Sequence, residues 1–233
     1  MTTSYFIGNT EVGAGMPTFI IAEISANHCG SLDSAIQLIE KAASAGANAV
    51  KIQTYTADSI TLKCRDKDFQ LTKGTWKDYG TLWDLYDKAR TPYEWHKELF
   101  LTAHSLGLEI FSSPFDEDAV DFLESLGSSA YKIASPEINH IPLLRKVANT
   151  KKPIILSTGL ATLEDIELAV QTILEYGTTH FSLLKCTTSY PAPLEDSDLL
   201  SMADLAIRFN CSVGLSDHTL GKTAAIALSL IHI

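Results

Sequence analysis

The chain has 233 residues, 45% hydrophobic and 20% charged, with a formal net charge of −10. That composition supports one large globular domain or two small ones, and its acidic balance argues against nucleic-acid binding. No apolar run approaches the roughly 18 residues of a membrane helix, the N-terminal MTTSYFIGNTEVGAG lacks the parts of an export signal, and four cysteines without a CxxC pair suggest neither a disulfide framework nor a zinc cage. A cytoplasmic protein without a membrane partner is expected.

In chain order, YFIGNTEVG within residues 1–18 has turn residues between short extended runs and predicts a hairpin extension that plugs a barrel bottom. TFIIAEIS reads as a strand, and LDSAIQLIEKAASAG spaces apolar residues at helical period up to a C-cap candidate, Gly46. AVKIQTY is the next strand. After a long polar segment, YEWHKELFLTAHSLG is helical to Gly107 and LEIFSSPF is the third strand. The alternation continues through DEDAVDFLESLG, AYKIAS, IPLLRKVANT, PIILSTG, TLEDIELAVQTILEYG, FSLLKCT, LLSMADLAIRFN, SVGLSDHT and GKTAAIALSLI. Repeated βα units demand a parallel sheet, and about seven units of even length predict an α/β fold of the TIM (β/α)8 type, incomplete, ahead of a doubly wound sheet.

Three of these strands carry a lysine where a hydrophobe is expected: Lys51, Lys132 and Lys185 on strands two, four and six. Barrel interiors fill in layers from alternate strands, so the three could share one layer. Burying them together costs several kcal/mol per ion unless an anion compensates. A phosphate or carboxylate substrate is the sharper expectation; pairing with Glu23 or Glu137, or an outward orientation, is the plainer one, with even weight for Lys185. Ser113, Ser135, Ser157, Thr188 and Ser216 follow apolar strand cores. Each alone is an ordinary turn or cap residue, but five at strand ends would ring one mouth with hydroxyls suited to phosphate oxygens. Glu23 lies inside an apolar strand and needs a partner, a metal or a raised pKa. His28 and His218 are candidate ligands or acid–base groups, His218 the better placed.

Taken as an ordered set, IAEISANHCGS, VKIQTYTADSITL, FSSPF, YKIASPE, ILSTG, KCTTSYP and GLSDHT resemble the sialic acid synthase family over about Phe19 to Thr223. Within it, KIQTYTADSITL and TPYEWH are most similar to the pseudaminic acid synthases. The resemblance implies a transferase that condenses phosphoenolpyruvate with an amino-sugar aldose, here 2,4-diacetamido-2,4,6-trideoxy-altrose, with C–O cleavage. It implies that Lys51, Ser113, Lys132, Ser135, Ser157 and Ser216 hold the phosphate and carboxylate of the donor, and that Thr188 stands where neuraminate synthases have asparagine. By the same likeness His218 is one of two histidines on a divalent metal such as manganese or magnesium, Glu23 lies near the reacting carbons, and Gln53, Glu137 and Tyr190 face the sugar. The family acts as a homodimer. Its members continue with an eighth strand bearing the second histidine and with a small antifreeze-like (SAF) domain. Residues 19–233 are therefore expected to form a barrel lacking its eighth strand, metal-poor, of low stability and inactive by itself, and His232 is not assigned as a ligand. Rival expectations are a neuraminate or legionaminic acid synthase, a Schiff-base aldolase with Lys132 or Lys51 as nucleophile, and a non-catalytic anion-binding remnant.

Overall fold

The computed structural model describes residues 4–230. It opens with a hairpin, β1 (Tyr5–Ile7) antiparallel to β2 (Thr10–Val12), with Ile7 opposite Thr10. The intervening two-residue turn takes Gly8 at φ 56°, a left-handed conformation that glycine adopts without steric cost. There follow β3 (Ile21–Glu23), α1 (Leu32–Ser44), β4 (Ala49–Thr54), α2 (Ala57–Ile60), α3 (Leu82–Ala89), α4 (Tyr93–Ser105), β5 (Glu109–Pro114) and α5 (Glu117–Ser125). Then come β6 (Tyr131–Ile133), α6 (Ile141–Asn149), β7 (Ile154–Ser157), α7 (Leu163–Glu175), β8 (Phe181–Cys186), α8 (Ser201–Phe209), β9 (Ser212–Ser216) and α9 (Thr223–Leu230).

The chain divides into two compact units, residues 19–128 and residues 1–18 with 129–233. In the first, β3, β4 and β5 pair in parallel and in chain order. Helix α1 starts where the Ser31 hydroxyl accepts the Ser34 N–H and ends before Gly46 at φ 84°, the left-handed residue anticipated as its cap. Ala35 and Ile39 of α1 and Leu99 and Ala103 of α4 are fully buried, as are Val50, Ile52 and Ile110 of the strands. Each large aliphatic side chain removed from water in this way contributes roughly 1.5–3 kcal/mol.

In the second unit β6, β7, β8 and β9 are likewise parallel and in chain order. Leu143, Leu144 and Val147 of α6, Ala169 and Ile173 of α7, and Ile154, Leu156 and Leu183 of the strands form its core. The hairpin packs here: the Tyr5 hydroxyl lies 2.5 Å from Ser182 Oγ near the start of β8, and its ring stacks on His180. Burial pushes the Tyr5 phenol up to about 12, so it remains a neutral partner for Ser182.

Strand register corrects one expectation. Parallel partners Lys132, Ile155 and Ser182 form one row, and side chains alternate faces along a strand. Leu184 and Cys186 therefore share the face of Ser182 and Lys132, while Lys185 lies on the opposite face with Leu183. Lys132 and Lys185 do not share a layer. The polar segment before α4 also contains two helices, α2 and α3, that its composition concealed.

Candidate active site

In the unit of residues 19–128, Glu23 is the register partner of Lys51, and Gln53 that of Ser113. Alternation puts Glu23, Lys51, Gln53 and Ser113 on one face of the three strands. Lys51, 8% exposed, forms an ion pair with Glu23 and donates to Ser113 Oγ at 3.2 Å. The carboxylate partner weighed for Lys51 is thus present; Glu23 itself, expected inside an apolar strand, is exposed at the strand end and needs no such compensation. A paired lysine with a further hydroxyl at its tip still presents N–H donors to an incoming oxyanion. His28 serves the backbone instead. It is buried, its Nδ1 accepts the Gly30 N–H at 3.0 Å, and its ring meets the edge of Trp95. Burial lowers its pKa, so the imidazole is a neutral brace of the loop after β3.

In the other unit Lys132, 6% exposed, donates to Ser157 Oγ at 2.6 Å and to the Ile133 carbonyl at 2.8 Å. Ser135 accepts the Gly159 N–H at 3.0 Å. Both serines and the glycine lie at strand ends, where the fold turns hydroxyls and backbone N–H groups the same way. Glu137 follows in the short turn after β6. Burial drives its carboxyl up to about 7, against the lowering effects of its own backbone N–H and of Lys132. One of its oxygens, Oε2, is buried without a hydrogen-bond partner, a demand that a bound ligand can meet. Ser216 is the register partner of Cys186.

Cys186 was not singled out by sequence. It is buried at the end of β8, with Sγ 3.7 Å from Thr188 Oγ1 and 3.9 Å from His218 Nδ1. Burial pushes the thiol up, but hydrogen bonds with His218, Ser135 and Thr188 and the charge of His218 outweigh it and bring it to about 6. The hydrogen bond with Cys186 correspondingly raises His218, against burial. Cys186 shares the face of Ser182 and Leu184, so counting alternation along FSLLKCT was the available signal. Gly159 was missed too: a Cβ there would stand 2.3 Å from Thr188 Oγ1 and 2.9 Å from Cys186 Sγ. The close approach of Thr188 and Cys186 to this backbone requires a residue with no side chain.

His218 Nδ1 donates to the Thr187 carbonyl at 2.9 Å, and the Tyr190 ring covers its imidazole at 4.3 Å. A carbonyl on Nδ1 is the arrangement that orients a metal-ligating histidine through its other nitrogen. Among the described residues, however, no three His, Cys, Asp or Glu side chains form a group able to hold a metal ion. They supply one oriented imidazole rather than a metal centre. His232 lies outside the described residues.

Comparison with known proteins supplies the family. The NeuB family model matches residues 38–230. The pseudaminic acid synthase of Campylobacter jejuni is 47% identical over 89% of this chain and 60% of its own length. The N,N'-diacetyllegionaminic acid synthase of Legionella pneumophila is 40% identical over 90% of this chain and 60% of its own. The crystal structure of the N-acetylneuraminic acid synthetase of Leptospira borgpetersenii, in complex with citrate, matches with a TM-score of 0.87 and 30% identity, covering 98% of this chain and 74% of that one. That agreement bears out the α/β, TIM-barrel-type class read from strand–helix alternation. The chain spans about three fifths of the length of the curated relatives it matches. With a match running from α1 to the end of α9, the chain belongs to the NeuB family.

Proposed function

We propose that this chain is the catalytic part of a pseudaminic acid synthase, joining phosphoenolpyruvate to 2,4-diacetamido-2,4,6-trideoxy-altrose with release of phosphate. The observation that carries the reading is the 47% identity to the pseudaminic acid synthase of Campylobacter jejuni, against 40% to the legionaminic acid synthase. The site chemistry supports it. Lys51 with Ser113, and Lys132 with Ser157, are buried ammonium–hydroxyl pairs, suited to the phosphate and carboxylate of the donor. Ser135 and Ser216 add hydroxyls at strand ends, and Thr188 takes the place held elsewhere by asparagine.

In the proposed reaction the donor's C3 forms a bond to the sugar aldehyde carbon, and the carbonyl oxygen takes up a proton. Positive charge develops at C2, water adds there, and the resulting intermediate expels phosphate by breaking its C–O bond. Glu23 accepts the proton of that water, held in place by its ion pair with Lys51. Glu137, with a carboxyl raised by burial to about 7 and an unpartnered oxygen, hydrogen-bonds the sugar together with Gln53 and Tyr190. A divalent metal, manganese or magnesium, with His218 among its ligands would supply Lewis-acid polarisation of the aldehyde. A homodimer in the cytoplasm completes the proposal.

The test is phosphate release from phosphoenolpyruvate with each of three amino sugars in the purified full-length protein, with and without a chelator. Turnover restricted to the altrose derivative and abolished by chelation is expected. Preference for the legionaminic or neuraminic precursor would replace the substrate assignment, and a borohydride-trapped adduct with pyruvate would replace the mechanism by a Schiff-base one.

A further inference from the structure

The motif TPYEWH at residues 91–96 supplies two adjacent side chains of α4, Trp95 and His96, that reach strand ends. His96 Nε2 lies 2.8 Å from Thr54 Oγ1 and its Nδ1 3.0 Å from the Pro92 carbonyl. Thr54 Oγ1 is in turn 2.6 Å from Ser112 Oγ, which also donates to the Ile52 carbonyl at 3.1 Å. Thr54, His96 and Ser112 are all fully buried, and the rings of Tyr93 and Phe122 flank the imidazole.

This chain of hydrogen bonds has one direction. The Pro92 carbonyl can only accept, so Nδ1 carries the proton. Burial holds the imidazole far below its ordinary range, at about 4, so it is neutral and Nε2 is an acceptor. The Thr54 hydroxyl donates to it, leaving the Thr54 oxygen to accept from Ser112, whose proton is shared with the Ile52 carbonyl. Thr54 closes β4 and Ser112 sits in β5, so the chain clamps the two strands near their C-terminal ends. On the opposite face of the same strands, Gln53 and Ser113 are register partners and Ser113 receives Lys51.

We infer that His96 is a positioning residue: through Thr54 and Ser112 it fixes the ends of β4 and β5, and with them the reach from the Lys51 ammonium to the Ser113 hydroxyl. Trp95 extends the device to β3. Its ring meets His28, which closes the loop after Glu23, a loop that carries Ser25 and Cys29 at φ 43° and 51°. Two strained residues in one short loop need such a brace. The inference rests on the reading above that Lys51 and Ser113 hold an anionic group of the donor.

The test compares His96→Phe, His96→Gln and Leu99→Ala in the purified protein, Leu99 being fully buried on the same helix. Amide hydrogen exchange at residues 51–54 and 110–113 is read beside the phosphoenolpyruvate dissociation constant from calorimetry. In His96→Phe, exchange at these strand ends should rise and the donor should bind at least about tenfold more weakly, on the scale of one lost oriented hydrogen bond. His96→Gln, whose amide oxygen can accept from Thr54, should recover most of both. Leu99→Ala should lower Tm without either effect. Unchanged exchange in His96→Phe, or equal changes in Leu99→Ala, would overturn the inference. If His96→Phe does not fold, Thr54→Val takes its place, with the same expected and overturning results. Failure of the unsubstituted protein to bind phosphoenolpyruvate would defeat the donor reading alone, because exchange still decides the positioning role.

Discussion

Lys51 and Lys132 are both buried, yet they are compensated differently. Lys51 has a carboxylate, Glu23, whose side chain is 42% exposed, whereas Lys132 is held by the Ser157 hydroxyl and the Ile133 carbonyl, with its charge also felt by the buried Glu137 carboxyl. A pair open to water on one side contributes at most about 1 kcal/mol, so Lys51→Met should leave Tm nearly unchanged. Both Lys51→Met and Lys132→Met should lower kcat/KM by on the order of a hundredfold or more, the scale of removing one oriented donor from a developing charge. Arg should fail to restore Lys132, because a planar fork cannot replace a compact ammonium that reaches one hydroxyl and one carbonyl. Steady-state kinetics beside thermal denaturation check this, and an unaltered kcat/KM in either Met variant would remove that lysine from the site. The residues themselves were legible because an ammonium in an apolar strand is conspicuous. Cys186 and Gly159 were not, since a cysteine or a glycine at a strand end has many ordinary explanations until its neighbours are seen.

At the level of elements, α4 links stability to acidity. His96 is buried neutral with its pKa near 4, against 6.5 in an unfolded chain. Between those values the unfolded state binds the extra proton, so folding stability falls as pH falls. The contribution is fully present above pH 6.5 and is lost progressively towards pH 4, by up to about 3 kcal/mol at roughly 1.4 kcal/mol per unit. In denaturant titrations from pH 7 to pH 4 the unsubstituted protein should lose stability relative to His96→Gln, which has no titrating group there; parallel curves would show that His96 does not titrate this way. The seven strands, the hairpin and most helices could be read from periodicity and from Gly46 and Gly107, which take the left-handed conformation at helix ends. Helices α2 and α3 could not: one is four residues long, and both lie in a segment rich in charge.

At the scale of the whole molecule, α9 is apolar on all sides, with only Ala224 buried. Leu220, Ile226 and Leu230 are 80%, 49% and 70% exposed, and Ile207 of α8 is 83% exposed. Apolar side chains displayed in this number favour association. A protein made of residues 1–233 alone should therefore bind a hydrophobic dye such as ANS strongly and self-associate in sedimentation. Weak dye binding by a monodisperse monomer would show that these side chains find cover within the chain.

The amino-acid sequence alone determined the order of strands and helices, the parallel sheet and the family, because hydrophobic period and ordered motifs are local properties that survive without coordinates. It also marked Lys51, Lys132 and His218 as chemical, because charge within an apolar pattern needs compensation. Only the tertiary structure decided which of them face together. Lys185 was excluded from the layer of Lys132 by a one-residue difference in register parity, and Glu23 was joined to Lys51. Cys186 was brought to His218, and His96 to Thr54, across gaps of 32 and 42 residues. Such pairings are set by how strands align and helices pack, and no pattern confined to one segment can specify them.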